Sequence, residues 1–210
     1  MQISLDRLTE KQRYGLLTSL VVPRPIAWVT TVSPQGTVNA APFSFFNLMG
    51  HDPAVVALGI LAHPEKPLKD TARNIERSGE FVVNLVDEHL AAAMNATAAD
   101  LAYGSSELAL VGLETAPGLA VGVPRIAACS ASLECRLLQS IPVSEHQRVM
   151  LGQVVALHVD DALVQDAERG HVHIALHAPI ARMGGAGIYA RSSDRFELER
   201  PDAATQPLER

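Results

Sequence analysis

Polar and apolar residues alternate most regularly at Ala131-Ser132-Leu133-Glu134-Cys135-Arg136-Leu137, the period of two that marks a strand with one buried face. Residues 149–159 form a second such run, broken by Gly152, and a glycine inside a strand signals a bulge or a close approach. Ile26-Ala27-Trp28-Val29-Thr30-Thr31-Val32 is rich in β-branched and aromatic types and reads as a strand. Ser33-Pro34-Gln35-Gly36 supplies a turn, and Thr37-Val38-Asn39-Ala40-Ala41 pairs back as a hairpin. Pro53 opens a third apolar run over 54–60, residues 81–86 form a fourth, and 171–176 read as the last core strand.

Helical patterning is sparser. Leu5, Leu8, Tyr14, Leu16 and Leu17 among charges predict an N-terminal arm with a helical turn. Asp70 or Thr71 caps a short amphipathic helix that stops at Gly79, and Asp87 caps another through Leu90 and Met94. Residues 95–125 read as an Ala/Gly-rich loop with a short turn near Ser106. A loop that long in a compact domain points to a functional or interface role. Met183-Gly184-Gly185-Ala186-Gly187-Ile188-Tyr189 is a glycine-rich loop, and the tail from Arg191 is peripheral. About seven strands with a few short helices predict an all-β barrel. A doubly wound sheet needs a helix between most strand pairs, and only the 54–60 to 81–86 connection has one. No GxGxxG follows a strand, which disfavours a Rossmann nicotinamide fold.

The chain of 210 residues is expected to be a single domain, and its formal charge of −6 without a long basic run argues against a nucleic-acid partner. Its first residues, Met1-Gln2-Ile3-Ser4-Leu5-Asp6-Arg7, lack the apolar stretch of a secretion signal, and no segment has membrane-spanning length. The expectation is a soluble cytoplasmic protein with no membrane partner. On one extended strand, Cys129 and Cys135 would stand roughly 20 Å apart, beyond the about 7 Å that a disulfide allows. His171, His173 and His177 read as strand positions, and no metal site is assigned to them.

Two stretches carry candidate chemistry. Lys66-Pro67-Leu68-Lys69-Asp70-Thr71-Ala72-Arg73-Asn74 opens a helix whose first N–H groups, beside Lys69, Thr71 and Arg73, make an anion site. Asn39-Ala40-Ala41-Pro42-Phe43-Ser44-Phe45-Phe46-Asn47 packs three of the five phenylalanines into four positions, with Ser44 and Asn47 among them. That mixture suits a loop that meets a flat ligand rather than an alternating core strand.

In this order and spacing, these stretches and Pro23-Arg24-Pro25-Ile26-Ala27-Trp28-Val29-Thr30-Thr31 resemble the flavin reductase-like family of FMN-binding, flavoredoxin-like split-barrel proteins. Phe81-Val82-Val83-Asn84, Leu133-Glu134-Cys135, Gly152-Gln153-Val154-Val155 and Pro179-Ile180-Ala181-Arg182-Met183-Gly184-Gly185 match as well, so the resemblance covers about residues 14–190. It implies a six-stranded Greek-key barrel and a homodimer with FMN near the subunit interface, where residues 43–46 are buried. It places the flavin ring against Trp28, Thr30 and Thr31 and against Ser44, Phe45, Phe46 and Asn47. The phosphate falls near Lys69, Asp70 and Thr71, with Arg24 and Asn74 completing the cofactor set. His146 and Tyr189 become the substrate-facing residues. Where the family's reductases that serve oxygenases often carry Gly-Asp-His, this chain has Ser144-Glu145-His146-Gln147.

The implied activity is transfer of hydride from NAD(P)H through flavin N5 to free flavin or a small acceptor. Such chemistry belongs to the cofactor and asks little of side chains, so no catalytic acid or base is assigned. The alternatives are an FMN-binding electron carrier without a productive nicotinamide site, and a non-enzymatic interaction protein on the same barrel.

Overall fold

The computed structural model describes residues 2–62, 68–99, 105–185 and 187–199. Lys66 and Pro67 of the anion-site stretch lie outside the described residues, as does the far end of the tail. The long strands are β1 (Ala27–Val32), β2 (Val38–Phe43), β3 (Phe46–His51), β4 (Ala54–Leu61), β5 (Glu80–Asn84), β6 (Ala131–Ser144) and β7 (Gln147–Val159). They form one antiparallel seven-stranded sheet in the order β2-β1-β5-β6-β7-β4-β3.

The two ends of that order are consecutive in the chain, with only Ser44 and Phe45 between them. Residues 38–51 are thus one bent strand that pairs with β1 on one side and β4 on the other, and the sheet closes into a barrel. Counting the bent strand once, the barrel has six sides. The Gly59 N–H donates to the Phe45 carbonyl at 2.6 Å and pins the bend. A Cβ on Gly59 would stand 2.9 Å from that of Phe45, so the approach requires glycine.

This corrects the reading of 42–47 as a loop. The bend shifts the phase of the strand, so Phe43 and Phe46 both pack on the barrel core and the period of two is broken in the sequence. Gly152 does sit at a register slip between β6 and β7, and a Cβ there would come within 2.4 Å of the Phe81 ring.

The barrel interior is filled by Ala27, Val29, Val56, Leu58, Ile60, Phe81, Val83, Cys135 and Met150, and by Ala72 and Ile75 of helix α2 (Asp70–Ser78). A second core lies outside β1, where Trp28, Ile26 and Ala40 pack with Leu90, Met94 and Leu108. Residues of α3 (Ala91–Ala96) and α4 (Glu107–Val111) supply part of that cover. β1 is therefore buried on both faces, which explains why its residues do not alternate between apolar and exposed polar. Cys129 and Cys135 are free and buried in different cores.

Several local expectations change in three dimensions. Helix α2 starts at Asp70, its N-cap is Lys69, and no side chain caps it; Gly79 ends it in the left-handed region, as expected. Thr71 instead bonds Asn39, and the Asp87 carboxylate accepts the Ser130 N–H rather than capping its own turn. Tertiary partners have taken side chains that could have capped locally. The N-terminal arm is a full helix (Glu10–Leu20) with a Thr9–Gln12 capping box. Residues 95–125 include α4 and a small ladder of Thr115–Ala116 with Arg125–Ile126. Of the expected strand at 171–176, only His171–Val172 pairs, with Val164–Asp166. The closed barrel leaves no edge for it to join. Among the described residues no helix is long and apolar enough to cross a membrane.

Candidate functional site

β2 pairs with β1 along one edge, and a groove follows the other edge. One lobe lies among Asn39, Ala41, the first residues of α2 (Lys69, Asp70, Thr71), Thr97 and Glu107, and encloses about 590 Å³ of space open to solvent. The next lobe lies among Ile26, Ser44, Met94, Asn95, Arg182 and Tyr189. Pro42, Phe43 and Ala98 line both, so the two are continuous.

The first lobe is polar and tightly wired. Thr71 Oγ1 and the Asn39 amide lie 3.1 Å apart. Turning that amide so that its nitrogen faces Glu107 Oε1, 3.3 Å away, satisfies both ends. The other oxygen of Glu107 accepts the Ala40 N–H at 2.9 Å, from the edge of β2 that β1 leaves free. Burial pushes the Glu107 carboxyl above its ordinary range; the Ala40 N–H opposes this, and the nearby Asp70 charge adds to the rise. Asp70 has Arg73 at 3.9 Å. The first turn of a helix leaves N–H groups without partners inside the helix, and here they open beside Lys69 and the Thr71 hydroxyl.

The second lobe mixes apolar residues (Ile26, Met94) with polar ones (Ser44, Asn95) and has a cation at its rim. A ladder joins Arg24–Pro25 to Ala181–Arg182 and then to Tyr189–Ala190. It carries Arg182, whose guanidinium stands 4.8 Å from the centre of the Tyr189 ring. The Tyr189 hydroxyl donates to Asn95 Oδ1 at 3.2 Å.

Of the residues expected to hold a ligand, Lys69, Asp70, Thr71, Ser44 and Tyr189 line this groove. Arg24 stands behind it. Its Nη1 donates to the Thr18 and Val21 carbonyls at 2.6 and 2.7 Å, and its Nε lies 3.5 Å from Ser44 Oγ. Arg24 thus anchors the end of the Glu10–Leu20 helix to the bend that presents Ser44. Phe45 packs edge-on against Tyr14 of that helix, and Phe46 packs on the barrel core. Trp28 is fully buried, and its indole N–H donates to the Thr97 hydroxyl at 2.9 Å, so the ring sits one residue behind the groove wall. Thr30, Thr31 and Asn74 are also buried: Thr30 donates to the Pro124 carbonyl, and Asn74 donates to Thr31 at 3.0 Å. Asn47 is exposed on β3, and its amide oxygen accepts the Leu48 N–H. His146 lies in the β6–β7 turn, 4.0 Å from Glu145, and is not among the groove-lining residues.

The structure adds Asn39, Asn95, Thr97, Glu107 and Arg182 to the candidate site. Two signals pointed toward them: the unusual length of 95–125, which delivers Asn95, Thr97 and Glu107, and the segment 179–185, which holds Arg182.

With this geometry in hand, three solved structures are informative. The chain is 36% identical to the 2-nitrobenzoate 2-nitroreductase NbaA of Pseudomonas fluorescens, over 99% of this chain and 98% of that one, with a TM-score of 0.89. It is 34% identical to nitrilotriacetate monooxygenase component B from Bacillus cereus, over 94% and 98%, again with a TM-score of 0.89. A split-barrel protein of Shewanella frigidimarina shares the fold at 20% identity, covering 96% and 100%, with a TM-score of 0.81. The barrel closed at Ser44 and Phe45 is thus the split barrel. The profile described as "Flavin reductase like domain" matches residues 19–177, which include both lobes' β2 wall and the whole anionic and amide cluster around Thr71, and on that match the chain belongs to the flavin reductase-like family.

Proposed function

We propose that the groove holds FMN, with its phosphate at Lys69 and Thr71 and its ring along Pro42, Phe43 and Ser44, in an NAD(P)H-dependent oxidoreductase that reduces free flavin or a small acceptor. The observation that carries this reading is the continuity of the two lobes, from a polar helix start to a flat apolar wall. The donor set fits the group. A phosphate needs several converging donors, and the first turn of α2, the Lys69 ammonium and the Thr71 hydroxyl supply them. A flat ring needs a surface to lie on, which Pro42 and Phe43 of β2 offer.

FMN held by Lys69, Thr71 and the β2 wall would supply two-electron redox chemistry at N5. Overall, NAD(P)H gives up a hydride with its electron pair and leaves as NAD(P)+, while the acceptor gains that hydride and a proton from solvent. The chain's own residues orient and shield. Asn39 ties Thr71 to the β2 wall, and Arg24 holds the bend that sets Ser44. The likeness to a nitroreductase and to a monooxygenase component supports a flavin-linked redox role with a small-molecule acceptor or a partner oxygenase.

The same reading includes a homodimer in the cytoplasm. Leu48 and Met49 on β3 are 58% and 57% exposed, next to the bend, and a second copy would cover them. Light scattering of the FMN-bound protein at micromolar concentration is expected to give a dimer mass, and a monomer mass refutes the assembly. The redox reading is tested by mixing the FMN-loaded protein anaerobically with NADH and with NADPH. Loss of the oxidised-flavin absorbance with one of them is expected. A spectrum unchanged by both overturns the nicotinamide role and leaves an electron carrier.

A further inference from the structure

We propose that the lobe bounded by Arg182, Tyr189, Asn95 and Ser44 is the acceptor subsite, and that it takes a flat aromatic carboxylate. This rests on the reading of the groove as a flavin site, which puts the acceptor beside the ring in the lobe away from Lys69.

The cation at this end differs in kind from the one at the other. Arg182 is fixed from three sides: its main chain pairs with Arg24 and with Tyr189, its Nη2 donates to the Gly185 carbonyl at 3.2 Å, and its guanidinium lies over the Tyr189 ring. A guanidinium carries five N–H donors in a planar fork, and the bond to Gly185 uses one of them. Among the described residues no carboxylate pairs with it. A fork of this kind matches the two oxygens of a carboxylate, whereas a helix start beside a lysine suits the several oxygens of a phosphate. The two ends of the groove are therefore chemically matched to different anions.

The space between supports an aromatic body. With the flavin ring along Pro42 and Phe43, the walls left to the acceptor are Ile26, Met94 and Ala98, which are apolar and without a charge. The Tyr189 hydroxyl, held on Asn95, and Ser44 Oγ, held near Arg24, add two oriented polar groups at the margin. An aromatic ring lying on the flavin, with its carboxylate toward Arg182 and a polar substituent toward Asn95, satisfies both kinds of surface.

The test uses FMN-loaded protein, calorimetry and two probes of nearly equal shape, benzoate and benzamide. Benzoate is expected to bind at least about tenfold more tightly, the scale of a hydrogen bond to a charged group. Arg182→Gln should erase that preference while FMN affinity stays within about twofold, and Arg182→Lys should keep part of it, since a point charge replaces the fork. Melting temperatures of both variants near that of wild type show that the ladder has formed. Equal binding of benzoate and benzamide to wild type overturns the subsite while leaving the flavin reading intact. A loss of FMN affinity in Arg182→Gln without a loss of riboflavin affinity also overturns it, because the phosphate then occupies this end. Failure of wild type to bind FMN at all removes the groove reading itself, and the subsite with it.

Discussion

The wall of the barrel at β6 and the groove beside β2 each bury a glutamate, and the two are treated differently. Glu134, on β6, accepts N–H groups from Leu119, Ala120 and Val121 and bonds His158. Burial by itself would raise its pKa. The Leu119 N–H, the His158 side chain, and the Ala120 and Val121 N–H groups together outweigh that and hold it down at about 2. Glu107 has the single Ala40 N–H and the Asn39 amide, lies near Asp70, and is pushed up. The number of converging donors decides whether a buried carboxyl keeps its charge. The fully bonded one serves as a structural clamp on the loop at 119–121. The under-bonded one lies in the groove, where a bound ligand would change its surroundings.

The largest expected effect breaks the clamp. Glu134→Ala removes the shared acceptor of three N–H groups, the buried one of Val121 and the part-buried ones of Leu119 and Ala120, and should cost about 3–5 kcal/mol in chemical denaturation. A loss below about 1 kcal/mol would mean that the loop finds other partners. The clamp also has a pH signature. Its carboxyl titrates lower in the folded chain than in the unfolded one, so its stabilisation is complete above about pH 4.5 and fades as pH falls toward 2. Wild type should lose stability relative to Glu134→Gln across that window, and parallel profiles would show that the charge is immaterial.

A smaller effect is expected at the groove's polar end. Lys69→Ala and Thr71→Ala should each weaken FMN binding by about 1–3 kcal/mol, with riboflavin binding unchanged. Equal losses for both ligands would place the phosphate elsewhere.

The smallest effect sharpens the contrast between the two glutamates. Glu107→Gln keeps an acceptor for the Ala40 N–H and removes only the titration, so stability should change by less than about 1 kcal/mol. Its folded-state pKa is raised, so any stability it contributes is present at low pH and lost as pH rises through that value. The preference for FMN over riboflavin should weaken over the same rise in wild type and stay flat in the variant. A large loss of stability in Glu107→Gln would make Glu107 a second clamp and erase the distinction.

Much of the fold was legible because its signals are local. The alternation at 131–137 marks β6, Gly152 marks the slip opposite Phe81, and Ser33 to Gly36 mark the β1–β2 turn, where Gly36 N–H donates to the Ser33 carbonyl. The polar start of α2 was legible for the same reason: Lys69, Thr71 and the stop at Gly79 are neighbours along the chain. The β3 strand was not, because the bend at Ser44 and Phe45 reverses the phase that a periodic reading depends on.

What the chain determined by itself, then, was most of the long strands, where they turn, and where one helix starts beside Lys69 and Thr71. Periodicity and turn chemistry act over a few residues, and these features need nothing more. Only the tertiary structure decided that Trp28 faces a second core, that His146 stays in a distant turn, and that residues 171–176 find no barrel edge. It alone decided that Glu107 reaches Ala40 across 67 positions of sequence. Those outcomes follow from closure of the sheet, a property of all its strands at once, so no local pattern could record them.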